Sequence, residues 1–364
     1  MLGQPGVYLS LVLVLLAAVL PAFTSTKLFT VSGFTLGISS STVHMLLLTY
    51  IVGMAAIAWN VIGGFGGQFS LGNGVFMGVS AYTAGILAVT YDVPFVAALA
   101  LGLVLTLLLA VVIGYPSFQL TGHYFALATI TIVEGVRFLT RHFRDLTGGA
   151  NGFSLIPAGV GDGGDFFLKL NRVVDWDAMG LSPKTGYYWL GLGLFVLAVA
   201  WSAHIRYSKL GYYLRALKDD QMAAQAVGID VPRYKMYGWL VTAFLTGLSG
   251  GVYAAYIQYL DPGFMFSITE SVRFAVIPII GGIGTIAGPV IGTLVMVPIQ
   301  HVAVTELGGK YGALTYVVYG VLLIVLIMYA PNGFRPLIAP YAKKVADAFP
   351  EFRVSDQPLP WDEE

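Results

Sequence analysis

Long apolar runs are the feature that most constrains the fold of this chain. A helix that crosses a lipid bilayer needs about 20 mostly apolar residues. The runs here are continuous rather than alternating ten-residue strands, which favours helices. The sequence therefore predicts an all-α fold, a polytopic helical membrane protein with about ten transmembrane segments, at residues 7–23, 39–62, 68–90, 93–114, 121–138, 186–203, 236–260, 270–284, 288–304 and 312–330.

The composition excludes two other classes of protein. Only 10% of the 364 residues are charged and 57% are apolar, whereas a soluble domain carries roughly 25% charged residues. This balance excludes a soluble enzyme and a disordered chain. The chain has no cysteine and a net charge of zero, so we expect no disulfide, no cysteine-ligated metal and no nucleic-acid partner.

Lysine and arginine in the loops predict the orientation in the membrane. The loop at 204–235 and the chain after residue 330 are rich in both, so we expect both to be cytoplasmic. Counting spans backwards places the N-terminus in the cytoplasm and the loop at 139–185 outside, although that loop also carries basic residues. We expect a transmembrane domain over 1–335 and a cytoplasmic tail over 336–364.

The first apolar segment has two interpretations. It resembles the apolar core of a signal peptide, but no basic residue precedes it and no small-residue cleavage site follows it. We therefore expect it to be a retained helix.

Several motifs that carry chemistry are absent from the sequence. There is no phosphate-binding loop of the form GxxxxGK[ST], no zinc motif HExxH and no nucleophile elbow GxSxG. The five histidines are too scattered for a local metal site. We therefore expect no enzymatic activity, no metal and no cofactor on this chain.

A glycine-rich stretch at 63–82 places polar side chains at membrane depth. It contains the pair Gly74 and Gly78 at the spacing that lets helices approach closely. The stretch is either a site of tight helix packing or a broken helix that lines a substrate path. Under the second interpretation the candidate lining residues are Asn60, Gln68, Ser70, Asn73 and His123.

Two further features of the sequence are a pair of charged residues near the end of a predicted segment and a second glycine-rich run that breaks a predicted helix. Glu134 and Arg137 lie near the end of the fifth segment and form either an interfacial ion pair or part of an outer gate or docking surface. Glu134 is the only carboxylate that the sequence offers as an intramembrane candidate for ion coupling. The glycine-rich run at 280–292 weakly echoes the run at 63–66, as an internal repeat around a central path would require.

The basic loop at 207–230 contains a predicted helix over 211–227 that Gly228 ends. Leu214, Leu217, Ala224 and Val227 fall on one face of that helix. The helix either lies on the membrane surface or docks into a groove of a partner protein.

Four motifs in this chain resemble, in order, those of the branched-chain amino acid ABC transporter permease family, and most closely its M-type subunits. They are GQFSLGNGVFMGVSAY at 67–82, LTGGANG at 146–152, LRALKDDQMAAQAVGI at 214–229 and GGIGTIAGP at 281–289. The resemblance implies an ABC importer permease fold in a prokaryotic inner membrane. It also implies that the third motif couples the permease to an ATPase, through Arg215, Lys218, Asp219, Asp220, Ala223, Ala224 and Gly228.

The same resemblance implies the partners. These are a second, H-type permease subunit, two ATP-binding subunits that hold ATP and magnesium, an extracytoplasmic substrate-binding protein and the surrounding membrane lipid. The implied cargo is a branched-chain amino acid carried along a low-affinity polar conduit, while relatives of the family carry urea, short amides or other amino acids. Outside the family, the composition also allows a secondary transporter, a passive small-solute channel or a membrane scaffold.

Overall fold

The fold is described from a computed structural model that covers residues 27–31, 34–37, 40–120, 122–156, 183–301 and 320. The predicted first segment at 7–23 and the tail at 336–364 lie outside the described residues, and so does the tenth segment at 312–330 apart from residue 320. The described part is overwhelmingly helical, which confirms the predicted all-α class.

Six long helices form the bundle, and shorter ones connect them. The long helices are α1 (Ser40–Trp59, continued by a π-helical turn at Asn60–Phe65), α2 (Asn73–Thr90), α3 (Phe95–Ser117), α4 (His123–His142), α6 (Pro183–Tyr207) and α9 (Val231–Ile257). The shorter ones are α5 (Arg144–Thr147), α7 (Lys209–Asp219), α8 (Gln221–Ala226), α10 (Pro262–Met265), α11 (Ile268–Gly282) and α12 (Ala287–His301). β1 (Lys27–Val31) and β2 (Phe34–Gly37) form an antiparallel hairpin, and β3 (Phe153–Ser154) pairs antiparallel with the distant β4 (Tyr259–Leu260).

Within the described ranges, five helices are long and apolar enough to cross a membrane: α1, α2, α3, α6 and α9. The predicted eighth and ninth segments become α11 and α12, which meet the criterion only as a pair bent by 114°. Counting that pair as one span gives six, so the predicted count of about ten is not confirmed. The predicted fifth segment is α4, which carries three charged residues and is not among the five.

The helices define two ends of the bundle. At the first, called the α7 end, the end of α3 meets the start of α9, where the indole of Trp239 donates to the carbonyl of Ala110 at 3.0 Å. At the second, called the β end, α9 leads into β4 and the amide of Leu155 donates to the carbonyl of Gln258 at 2.9 Å. Since α9 has 27 residues, it is about 40 Å long, enough to cross a bilayer. The predicted loops at 139–185, where described, and at 204–235 thus lie at opposite ends.

Small residues bring the central helices α2 and α9 into close contact. A Cβ atom added to Gly250 would lie 2.1 Å from the backbone carbonyl oxygen of Met77, and one added to Gly78 would lie 2.3 Å from the ring of Phe266. Small residues at helix interfaces permit this backbone approach in membranes. The glycine content of the sequence is therefore used for packing.

Replacing Gly250 with alanine is expected to destabilise the bundle, because the added methyl group meets backbone that cannot move aside. Overpacking of this kind costs about 1–3 kcal/mol. Gly193→Ala on α6 is the matched control, since a Cβ atom there meets nothing within 4 Å. Thermal unfolding in detergent should show a lower midpoint for the first variant only. Equal midpoints would contradict the close packing of α2 on α9.

Candidate functional site

The predicted coupling helix at 211–227 is two helices rather than one. α7 ends at Asp219, and Asp220 adopts an extended conformation and caps α8. Its carboxylate accepts hydrogen bonds from the amides of Met222 at 2.8 Å and Ala223 at 3.1 Å. An aspartate in this position satisfies amides that the first turn of a helix leaves unpaired, which explains why the helix restarts here.

The two short helices bury one face and expose the other. Leu214, Leu217 and Ala224 are buried, whereas Val227, which was predicted to share their face, is 79% exposed. Met222 is 78% exposed as well. Gly228 ends the segment with a φ of +89°, a left-handed conformation that favours glycine, so the predicted stop is confirmed. The segment therefore packs on the bundle through α7 and exposes two apolar side chains, Met222 and Val227, in and just after α8.

Basic side chains connect this segment to the glycine-rich turns of the bundle. The ammonium group of Lys218 donates to the carbonyl oxygen of Gly64 at 3.1 Å. The guanidinium group of Arg206, at the end of α6, donates to the carbonyl oxygen of Gly284. Arg215 donates to the carbonyl oxygen of Arg206 at 3.3 Å. Of the other predicted coupling residues, Asp219 and Ala223 are exposed at the surface of the segment.

Asn60 joins the two glycine-rich turns to each other. Its side-chain amide donates to the carbonyl of Thr285 at 2.8 Å, and its side-chain oxygen accepts from the amide of Gly284 at 2.9 Å. Asn60 is fully buried. The turn at 283–286 between α11 and α12, called the hairpin tip, is thus held at the α7 end by Asn60 and by Arg206.

The other predicted lining residues are dispersed. Ser70 and Asn73 are fully buried and share a hydrogen bond of 3.4 Å, while Gln68 is buried in the segment before them. His123 is exposed at the start of α4 and does not join this group. The helix is broken over 67–72, since α2 begins at Asn73 rather than at 68. A role in a substrate path stays a prediction for all five residues.

Glu134 and Arg137 form an ion pair on α4 with side chains that are about one-third exposed. Their role as a gate or docking surface stays a prediction.

A second ion pair, between Glu270 and Arg273, was missed by the sequence reasoning. The guanidinium nitrogen lies 3.2 Å from the carboxylate oxygen, and the two side chains are only 12% and 11% exposed. Glu270, at the start of the predicted eighth segment, is therefore a second candidate beside Glu134. The spacing of three residues, with a glutamate and an arginine inside an apolar segment, was a signal that the sequence offered.

Comparison with known proteins defines the class. A family model described as the permease component of the branched-chain amino acid transport system matches residues 41–327. The chain is 26% identical over 315 residues to the high-affinity branched-chain amino acid transport system permease protein LivM of Escherichia coli K12, over 84% of this chain and 72% of that protein. It is 27% identical over 141 residues to LivH of the same organism, over 38% and 44% of the two chains. No solved structure matches the chain significantly.

The chain therefore belongs to the family of permease components of branched-chain amino acid transport systems, whose members are membrane subunits of ABC importers. The resemblance in its four motifs is confirmed.

Proposed function

We propose that this chain is an M-type permease subunit that forms half of the translocation path of an ATP-driven importer of branched-chain amino acids. Its partners are an H-type permease subunit, two ATPase subunits that bind ATP and magnesium, and an extracytoplasmic binding protein. The α7 end faces the cytoplasm in this proposal, and the β end faces the binding protein. Both chain termini are cytoplasmic.

One observation carries the proposal: a segment with exposed apolar side chains is joined to the bundle by hydrogen bonds. Met222 and Val227 project from the segment that contains α7 and α8, and exposed apolar side chains of this kind mark protein interfaces. Lys218 connects the segment to the glycine turn of α1, and Arg215 connects it to Arg206, which donates to the hairpin tip. A force applied to α8 by a partner therefore reaches the hairpin through hydrogen bonds rather than through a flexible loop.

The occupant of this surface is an ATPase subunit. The sequence contains no phosphate-binding loop, so an importer built on this chain needs ATP hydrolysis on another chain. A short amphipathic helix that inserts into a groove is a common recognition mode. A segment that merely lay on lipid would need no hydrogen bond to the glycine turn of α1.

A secondary transporter is the main rival, because Glu270 is a buried carboxylate of the kind that ion coupling requires. Its partner Arg273 neutralises it within the same helix. A carboxylate whose oxygens are already bound by an arginine has no free position for a coupling ion. The ion pair therefore favours a fixed structural or binding role over proton coupling.

Replacing Met222 with aspartate is expected to disrupt docking of the ATPase. A charge buried against an apolar groove is strongly unfavourable, whereas Met222→Leu preserves apolar area at the same position. The side chain is 78% exposed, so neither change disturbs the fold of the chain. Co-purification with the ATPase subunits should fail, and ATP-driven leucine uptake should fall about tenfold or more, in the aspartate variant only.

Two outcomes of this experiment would count against the docking assignment. Full assembly and uptake in Met222→Asp would contradict the assignment of α8 as the docking helix. Loss of both in Met222→Leu would show that the position tolerates no change, and would remove the charge argument.

A further inference from the structure

A cavity of about 250 Å³ lies between α1, α9, α11 and α12 at the β end of the bundle. The ion pair Glu270 and Arg273 lines one part of it, and Gln300 and His301 line another. Apolar side chains complete the wall, among them Met45 and Leu48. The cavity is smaller than the roughly 300–1,000 Å³ of sites for drug-sized ligands, and its size suits a single small solute.

From this cavity we infer a binding site for the substrate itself, a zwitterionic amino acid with an apolar side chain. The inference rests on the proposed function, which it deepens by naming where and how this chain holds its cargo. The guanidinium group of Arg273 is placed to receive the α-carboxylate, and the carboxylate of Glu270 to receive the α-ammonium group. Arginine binds carboxylates through its two-pronged donor geometry, and such charge-assisted bonds are the strong ones.

Net charge selects the ligand class. The ion pair has no net charge, and neither has an amino acid zwitterion, so binding buries no uncompensated charge. A cationic or anionic amino acid would bring one unpaired charge into an apolar site, which is costly. Urea carries no charge, so it would gain less than a zwitterion from the carboxylate and guanidinium groups.

Further polar and apolar groups complement the same ligand. Gln300 lines the cavity, and its side-chain oxygen is buried without a hydrogen-bond partner among the described residues. Buried polar atoms without a partner are uncommon and call for an explanation. The wall formed by Met45, Leu48 and Val52 on α1 supplies an apolar surface for a hydrocarbon side chain.

The position of the cavity relates it to the coupling segment. α11 and α12 carry the polar groups of the cavity at the β end, and their tip is held at the α7 end by Asn60 and Arg206. A movement of α7 that shifts the hairpin tip therefore changes the spacing of the groups around the ligand. This arrangement would let ATP-driven motion at one end release an amino acid held near the other.

The test uses the absence of cysteine from the chain. Leu48→Cys places a single thiol in the cavity, and Ser154→Cys places one on the exposed strand β3 as the control. The assembled permease and ATPase complex, without binding protein, is treated with methyl methanethiosulfonate, a small uncharged reagent, in the presence of leucine, leucinamide or 4-methylpentanoate. Leucine at ten times its dissociation constant should slow modification of the Leu48→Cys variant about tenfold and leave the rate for Ser154→Cys unchanged.

The analogues and one further substitution test the roles of the two charges. Leucinamide lacks the carboxylate and 4-methylpentanoate lacks the ammonium group, so each should protect the cavity thiol of the Leu48→Cys variant much less than leucine does. Arg273→Gln in the Leu48→Cys background should remove protection by leucine. Asp145→Asn, which removes an exposed charge at the same end, should not.

Three results would overturn the inference: no protection by leucine, protection by both analogues as strong as that by leucine, or a cavity thiol that does not react at all. ATP-driven leucine uptake, measured on the same complex with binding protein added, separates this failure from failure of the proposed function. Uptake without protection rejects the site and keeps the importer. Absence of ATP-driven uptake rejects the importer whatever the labelling shows.

Discussion

Replacing Asn60 with leucine should abolish most ATP-driven uptake while the assembled complex still hydrolyses ATP. The side chain is fully buried and joins the end of α1 to the hairpin tip through Gly284 and Thr285. Leucine has a similar volume and makes neither bond. The change leaves a partly buried amide and a partly buried carbonyl without their partner, so the tip is expected to detach from α1.

The expected loss of uptake is about tenfold or more. A loss of that size corresponds to a typical coupling free energy between two sites. Thr49→Val is the matched control on the same helix. Thr49 is also fully buried, but its hydroxyl donates to Met45 within α1 and holds no other element. Uptake and ATP hydrolysis should be measured in the same vesicles. Normal uptake by the Asn60→Leu complex would contradict the role of the hairpin tip.

Replacing Lys218 with methionine should uncouple ATP hydrolysis from uptake. The change removes the hydrogen bond between α7 and Gly64 in the turn that ends α1. Methionine retains the unbranched apolar stem, which packs on Gly67, and removes the ammonium group that donates to Gly64. We expect ATP hydrolysis to continue and uptake to fall severalfold. Lys209→Met, at the exposed start of α7, removes the same charge without that hydrogen bond and should leave uptake unchanged.

The two changes together test whether the contacts form one route. If Lys218 and Asn60 act in series, the double variant should lose little more uptake than Asn60→Leu alone. Contacts that act independently would give additive losses in free energy. Additivity would therefore contradict a single route from α7 to the hairpin tip.

The sequence predicted the elements that depend on local chemistry. Apolar runs of bilayer length gave α1, α2, α3, α6 and α9 within a few residues of their ends. Gly228 was a readable stop because a left-handed residue at a helix end is usually glycine. The break at Asp220 was equally readable from its capping side chain, and was missed because the predicted helix was extended across it.

Features that depend on distant contacts could not be predicted in this way. The hydrogen bonds of Asn60 reach residues more than 200 positions later in the chain, and no local pattern encodes such a partner. As a result Asn60 was predicted to line a path, and the structure gives it a buried bridging position. The bend between α11 and α12 has the same origin, since glycines mark a break but do not fix its angle of 114°.

The charged residues illustrate both cases. Glu134 was singled out as an intramembrane carboxylate, yet it lies on the partly exposed face of α4. Glu270 stands at the start of a predicted segment, where a charge attracts little notice, and is buried only because α1, α9 and α12 surround it. Burial of a charge near a helix end is decided by tertiary packing, so the sequence alone did not show that Glu270 is the more buried of the two.

Transport by the reconstituted complex tests the proposed importer function most directly. Vesicles that contain this chain, its H-type partner and the ATPase subunits would receive labelled leucine with the binding protein, with and without ATP on the α7 side. For a permease subunit of an ATP-driven importer, we expect leucine uptake that requires both ATP and the ATPase subunits. Leucine or urea flux through the permease chains without ATP would contradict it and would identify a passive channel.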